Sequence, residues 1–142
     1  MDIKKIVLEM LKKQFGADLS ETDIEFKLMG KNRIYAYKPC EIGIQEKHSG
    51  IYFGTIEKDG IRLSIEGSYI VGKVAKKCVL EIEKDKVIDW MKGYNIDGKI
   101  KGYVILKWKN YFLGCGRGNG KIIRNYIPKN RRIDDDLKKE KA

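Results

Sequence analysis

The sequence predicts an α+β fold, with a small α/β unit in its first half packed on a small β-barrel in its second. Three observations predict it. One amphipathic stretch of helical period opens the chain, short apolar runs of strand length follow at close spacing, and tight turn signals separate them. The 142 residues are 42% hydrophobic, with two Trp, eight Tyr and four Phe. That length fits one compact unit, or two very small subdomains on a shared interface, burying roughly two-thirds of the unfolded chain's surface. The expected division is an α/β subdomain over 1–73, a β-barrel over 74–133 and a charged, mobile tail over 134–142.

Each element follows from local pattern. Ile3, Ile6, Val7, Met10, Leu11 and Phe15 recur at helical spacing opposite Lys4, Lys5, Glu9, Lys12 and Lys13, and Gly16 stands where a left-handed terminator belongs. Ile24, Phe26 and Leu28 alternate with charged residues, and Gly30, Lys31 and Asn32 turn the chain into Ile34 to Tyr37, a hairpin with an apolar inner face ended by Pro39. Ile51 to Ile56 and Ile61 to Ile65 flank an Asp59-Gly60 turn and form a second hairpin. Ser64 caps a short helix from Ile65 to Ile70 that stops near Gly72. Val74 to Ile82 reads as a connecting strand, and Lys84 to Lys92 as a short helix with Val87, Ile88 and Met91 inward, closed by Gly93.

Beyond Gly93 the pattern is all strand. In Lys99 to Lys109 the positions Ile100, Val104, Leu106 and Trp108 are apolar, while Lys99, Lys101, Lys107 and Lys109 flank Tyr103 and Ile105, so one face should be core and the other basic. Asn110 turns the chain into Tyr111 to Gly116. An Asn119-Gly120 turn of type I′ character leads to a last strand from Lys121 to Ile127.

Charge is distributed unevenly. Residues 1–72 carry 11 Lys+Arg and 11 Asp+Glu, whereas residues 73–142 carry 19 and 9 and hold the whole surplus of +10. From Gly98 to Ile133 there are ten basic residues and no acid. A solubilising surface mixes both signs; a field of one sign concentrates a polyanion. The candidate contacts for RNA are Lys99, Lys101, Lys107, Lys109, Arg117, Lys121, Arg124, Lys129, Arg131 and Arg132, with the last three just past Pro128 as the leading phosphate ligands. Trp108, Tyr111 and Tyr126 are interleaved with these cations, as base-stacking groups are in single-strand binders. Trp108 shares the apolar parity and is expected in the core. Tyr126 shares parity with Arg124 and is the candidate stacking residue, with a buried tyrosine as the alternative.

Catalytic and metal-binding residues are not expected. Cys40, Cys78 and Cys115 are 38 and 37 residues apart, which is neither a disulfide framework nor a Cys-x-x-Cys metal spacing, and the odd count fits reduced thiols. His48, the one histidine, lies in a polar loop, and no nucleophile has a base and an orienting group at a defensible spacing. Asp134 to Asp136 read as solvated acids of the tail. No cofactor is implied, no run of 18 uncharged apolar residues exists, and the amino terminus lacks a signal-peptide pattern, so the expected location is cytoplasmic. Gly114, Gly116, Gly118 and Gly120 alternate, but a strand-like Lys121-Ile122-Ile123-Arg124 follows where a dinucleotide fingerprint would need a helix. They read either as a structural bulge or as a loop that admits an RNA backbone near Arg117.

At this point the residues resemble a known family. The run Gly102-Tyr103-Val104-Ile105-Leu106, then Leu113-Gly114-Cys115-Gly116, then Asn125-Tyr126-Ile127-Pro128-Lys129 and Arg131 is similar to the PUA-type module of Sun/Nop-type RNA cytosine-5 methyltransferases. Upstream, Leu11, Gln14-Phe15-Gly16, Gly50-Ile51-Tyr52-Phe53-Gly54, Leu63-Ser64-Ile65-Glu66-Gly67, Gly72, Ala75 and Val79 resemble the α/β pre-PUA segment of archaeal relatives. The resemblance covers about residues 8 to 132. It implies an RNA-binding fold of two packed parts, serving ribosome biogenesis or the modification of rRNA or tRNA. It does not imply methyl transfer, since that family's catalytic domain finds no room in this chain; Pro39-Cys40 echoes the family's catalytic dipeptide without the domain around it. The partners implied are RNA and, as alternatives, a separately encoded RNA methyltransferase or a ribosome-assembly factor, with no membrane.

Overall fold

A computed structural model describes residues 2–38 and 50–133. The readings made for Pro39, Cys40, His48 and the tail from Asp134 lie outside those residues.

Helix α1 (Ile3–Phe15) is capped by the Asp2 carboxylate, which accepts from the Lys5 N–H, and ends at Gly16 with φ 64°, as its sequence demands. Strands β1 (Glu25–Met29), β2 (Arg33–Tyr37), β3 (Ile51–Glu57) and β4 (Gly60–Leu63) form an antiparallel sheet in chain order. Its apolar face lies on α1, where Val7, Leu11 and Phe15 meet Phe26, Ile34, Phe53 and Ile61. The Gln14 side chain acts like one residue of an added strand: its amide NH2 donates to the Ile61 carbonyl at 2.7 Å and its carbonyl accepts from the Ile61 N–H at 2.8 Å. Leu28, expected inward, is 44% exposed, because it sits at the turn end of β1 beyond the reach of α1.

The β3–β4 turn differs from the Asp-Gly turn expected. Glu57 pairs with Gly60, so Lys58 and Asp59 occupy the centre, and neither has the positive φ of a type I′ turn. Asp59 is thereby freed to point its carboxylate at the second half of the chain. Ser64 caps helix α2 (Ile65–Gly72) as expected, its hydroxyl accepting from the Gly67 N–H at 2.9 Å.

The second sheet has the order β5-β7-β8-β9-β6 and curls into a partial barrel. It comprises β5 (Val79–Glu81), β6 (Ile96–Asp97), β7 (Lys101–Trp108), β8 (Tyr111–Asn119) and β9 (Ile122–Asn125). The connecting strand read over Val74 to Ile82 is confined to β5, which runs parallel to β7. Helix α3 (Lys84–Met91) plugs the curl, and its inward residue is Trp90, fully buried, whereas Ile88 is 44% exposed. The expected arc of Val87, Ile88 and Met91 was turned too far: with Val87 and Met91 half-buried, the bulk between them is Trp90.

The alternating glycines exist for this tryptophan and for the barrel's tight closure. A Cβ on Gly116 would stand 2.7 Å from the Trp90 ring and 2.8 Å from the Arg124 carbonyl oxygen, and one on Gly118 would stand 1.9 Å from the Ile100 carbonyl oxygen. Gly114, at φ 118°, sits where the β7–β8 register shifts by one residue. The shift lets Leu113 face the barrel interior while Cys115 faces the other way. Gly116 and Gly118 thus have a structural role in the glycine run. Asn119 is not in the left-handed region either; its side-chain oxygen instead accepts from the Lys121 and Ile122 N–H groups at 2.9 Å each, and only Gly120 takes positive φ there.

The largest departure concerns β7. It is a central strand buried on both faces, since Val104 and Leu106 enter the barrel core while Tyr103 and Ile105 complete the core beneath α1 and the first sheet. The basic face expected on Lys99, Lys101, Lys107 and Lys109 therefore does not exist as a face. Lys101 and Lys107 lie near opposite ends of the strand, roughly 20 Å apart at 3.3 Å per residue. The first core also takes Cys115 from β8, so the first half of the chain does not close its hydrophobic core without the second.

A candidate nucleic-acid interface at the seam

Two ionic latches join the halves. Asp59, in the β3–β4 turn, accepts from Arg117 of β8 at 2.6 and 2.7 Å and from the Tyr103 hydroxyl at 3.0 Å. Glu66, in the first turn of α2, accepts from Arg131 at 2.9 Å. The Arg117 guanidinium, aided by the Tyr103 hydroxyl, holds the Asp59 carboxyl below its ordinary 3.8, and burial together with Asp59 pushes the Tyr103 phenol up. A carboxyl depressed on folding stabilises the native state fully above its unfolded value, and that contribution is lost as pH falls through the folded one. The urea midpoint of the wild type should therefore exceed that of Asp59→Asn at neutral pH, and the gap should close as pH drops below 3.8. A gap independent of pH would mean that the carboxylate's charge is not what latches the turn.

Two of the candidate RNA contacts, Arg117 and Arg131, are thus neutralised by first-half carboxylates across the seam. Arg132 is engaged differently. Its Nε donates to the Ile127 carbonyl at 2.9 Å and its side chain packs on Gly93, which makes it structural. Among the described residues, Lys99, Lys101, Lys107, Lys109, Lys121, Arg124 and Lys129 form no ion pair. They occupy separate places. Lys99, Lys101 and Lys121 flank the end of the barrel where the backbones of Gly98 and Lys121, and of Ile100 and Gly120, are hydrogen-bonded. Lys107 and Lys109 mark the β7–β8 turn. Lys129 is exposed in a single 3-10 turn, Lys129–Arg131.

Arg124 joins a different group. On β9 it lies in register beside Arg117, and its guanidinium is 5.5 Å from the centroid of the Tyr126 ring. The Arg62 guanidinium of β4 is 4.6 Å from the same centroid, so two arginines from opposite halves converge on one half-buried tyrosine. Arg62 Nε lies 3.6 Å from the Glu57 carboxylate, too far for a hydrogen bond, and is buried with no hydrogen-bond partner among the described residues. Behind this group the seam opens into a cavity of about 180 Å³ walled by Tyr52, Leu63, Ile65, Cys115 and Ile127, with Glu66 and Arg131 among its lining residues. Tyr52 and Arg62 also line a broader basin of about 710 Å³ bordered by Lys31, Arg33 and Tyr35, where the Tyr35 and Tyr52 rings are 5.7 Å apart. The Tyr52 and Thr55 hydroxyls are hydrogen-bonded to each other in this basin.

The residues that sequence reasoning missed are Arg62, Tyr52, Tyr35 and Arg33. Cancelling charge totals hid them, although Arg33 and Arg62 are the first half's two arginines and each lies on a strand that pairs with β3, which carries Tyr52. Tyr126 and Arg124, both named from the sequence, are brought together here. Burial pushes the Cys115 thiol up to about 12, so this wall of the cavity is no nucleophile at neutral pH. Among the described residues, no His, Cys, Asp and Glu cluster could hold a metal ion, and no helix is long and apolar enough to cross a membrane.

With fold and seam in place, comparison with known proteins defines the class. Residues 77–133 match the family model described as the methyltransferase RsmF PUA domain. Residues 77–133 thus match a methyltransferase-type PUA module, set within an α+β fold. A PUA domain supports RNA binding in a methyltransferase-associated context. No curated protein matches the chain.

Proposed function

We propose that this chain is a non-catalytic RNA-binding accessory of rRNA or tRNA modification or of ribosome biogenesis, working in the cytoplasm. It holds the RNA backbone at the seam and at the lysines beside it. The observation that carries this reading is the convergence of Arg62 and Arg124 on Tyr126, next to a basin bordered by Lys31 and Arg33. Arginines held over an aromatic ring keep their outward N–H groups for phosphate oxygens, and the half-buried tyrosines beside them, Tyr35, Tyr52 and Tyr126, offer ring surface to unpaired bases. The acid-free stretch from Gly98 to Ile133 adds the long-range field that brings RNA in. The purified chain should bind a single-stranded RNA at low salt and keep it against an excess of duplex DNA. Equal displacement by the duplex would reduce the reading to charge alone.

A second reading is favoured by the family description itself: the chain docks through its methyltransferase-type PUA module on a separately encoded enzyme. Capture of the tagged chain from a native lysate separates the two. A stoichiometric enzyme that survives nuclease treatment supports the docking subunit, and loss of all partners on nuclease treatment supports direct RNA binding.

A further inference from the structure

The β7–β8 hairpin ends in a tight turn with Lys109 at φ 53°. The cross-strand pair Trp108 and Tyr111 meets there with ring planes 20° apart and centroids separated by 5.9 Å, a stacked arrangement. Trp108 packs one edge on the barrel core, but Tyr111 belongs to neither core and is 63% exposed. Lys109 places its ammonium 5.0 Å from the Trp108 centroid. On the reverse of the hairpin the pattern repeats: Lys107 lies 5.6 Å from the Phe112 ring. No ion pair among the described residues neutralises either lysine; the nearest carboxylate in register is Glu81, which pairs with Lys107 across β5 and β7.

Packing does not account for Tyr111. An exposed aromatic stacked on a second ring is a preformed, low-entropy surface, and Lys109 over Trp108, with Lys107 two residues earlier on β7, supplies cations for phosphates. A protein-docking face would more often be apolar at its centre with charge at the rim; here the lysines lie over the rings themselves. From these observations we infer that the Trp108–Tyr111 pair is a second contact for single-stranded RNA, on which an unpaired base stacks against Tyr111 while Lys109 and Lys107 take the flanking phosphates. The inference rests on the RNA-binding reading above and adds a site that the seam does not include.

The chain's two tryptophans make the test direct, because Trp90 is fully buried and Trp108 is the one near solvent. Trp108 emission is followed while the full chain is titrated with a single-stranded RNA of about twelve nucleotides, and then with an abasic strand of equal length, since stacking needs bases and phosphate contact does not. Quenching by the RNA and not by the abasic strand is expected, with Tyr111→Ala weakening RNA binding by about 10-fold and leaving the circular dichroism spectrum unchanged. RNA binding with equal emission changes for both strands, or with full affinity in Tyr111→Ala, would overturn the platform while leaving the seam intact. Absence of any RNA binding would instead remove the reading on which it stands. Loss of a captured protein from Tyr111→Ala, with RNA affinity unaltered, would reassign the face to protein docking.

Discussion

Trp90→Ala should destabilise the chain by about 3–5 kcal/mol, toward the upper end of that range for a large buried aromatic. Trp90 is the largest of the fully buried side chains, and it fills the space that Gly116 leaves open on β8. Glycines cannot swing a side chain into the void, so the cavity would persist instead of collapsing, and persistence is what makes truncation costly. The indole N–H also donates to the Leu113 carbonyl at 3.1 Å, and its loss leaves a buried acceptor unpaired at roughly 1–3 kcal/mol. Asn125 ties the same helix to β9, its amide donating to the Trp90 and Tyr94 carbonyls, so the damage should spread along the barrel edge. Against a typical total of about 5–15 kcal/mol, the variant should be largely unfolded at physiological temperature. Urea denaturation followed by circular dichroism measures it; a loss below about 1 kcal/mol would show that the glycine-lined slot can refill.

The second large effect concerns RNA. Arg62→Ala combined with Arg124→Ala should weaken single-stranded RNA binding by about 100-fold, taking each charge-assisted contact at roughly 1.5 kcal/mol. The reason is geometric. Both guanidiniums converge on Tyr126, and neither makes an ion pair as short as those of Arg117 and Arg131, whose charges Asp59 and Glu66 already satisfy at 2.6 and 2.9 Å. By the same logic Arg117→Ala should cost RNA affinity less than Arg124→Ala, although the sequence places them in one basic run. Filter binding of the folded variants ranks them, and an order with Arg117 above Arg124 would contradict the assignment.

Much of the fold was legible in the residues. The period of Ile3 to Phe15 and the terminator at Gly16 reproduce α1 to the residue, and Ser64 announced α2 because a hydroxyl before an apolar run is a local signal with a local cause. What was not legible is non-local. A period-two pattern shows how a strand alternates but not how many faces it buries, so β7 looked one-sided while a whole second layer waited to cover Tyr103 and Ile105. Likewise Asp59 was read as a turn former, and only the approach of β8 from 58 residues away shows its carboxylate to be a latch. Arg62 escaped for the same reason: a charge sum over a segment is blind to which partner sits on the far side of an interface. The candidate site was thus half visible, in Arg124 and Tyr126, and half hidden in strands of the other subdomain.

Salt dependence of RNA binding tests the central claim most directly. If about five cations of this chain neutralise phosphates of a single strand, log K against log salt concentration should fall with a slope of roughly −3.5, a loss near 100-fold between about 50 and 200 mM. A flat response, or no binding at the lowest salt, would contradict the account.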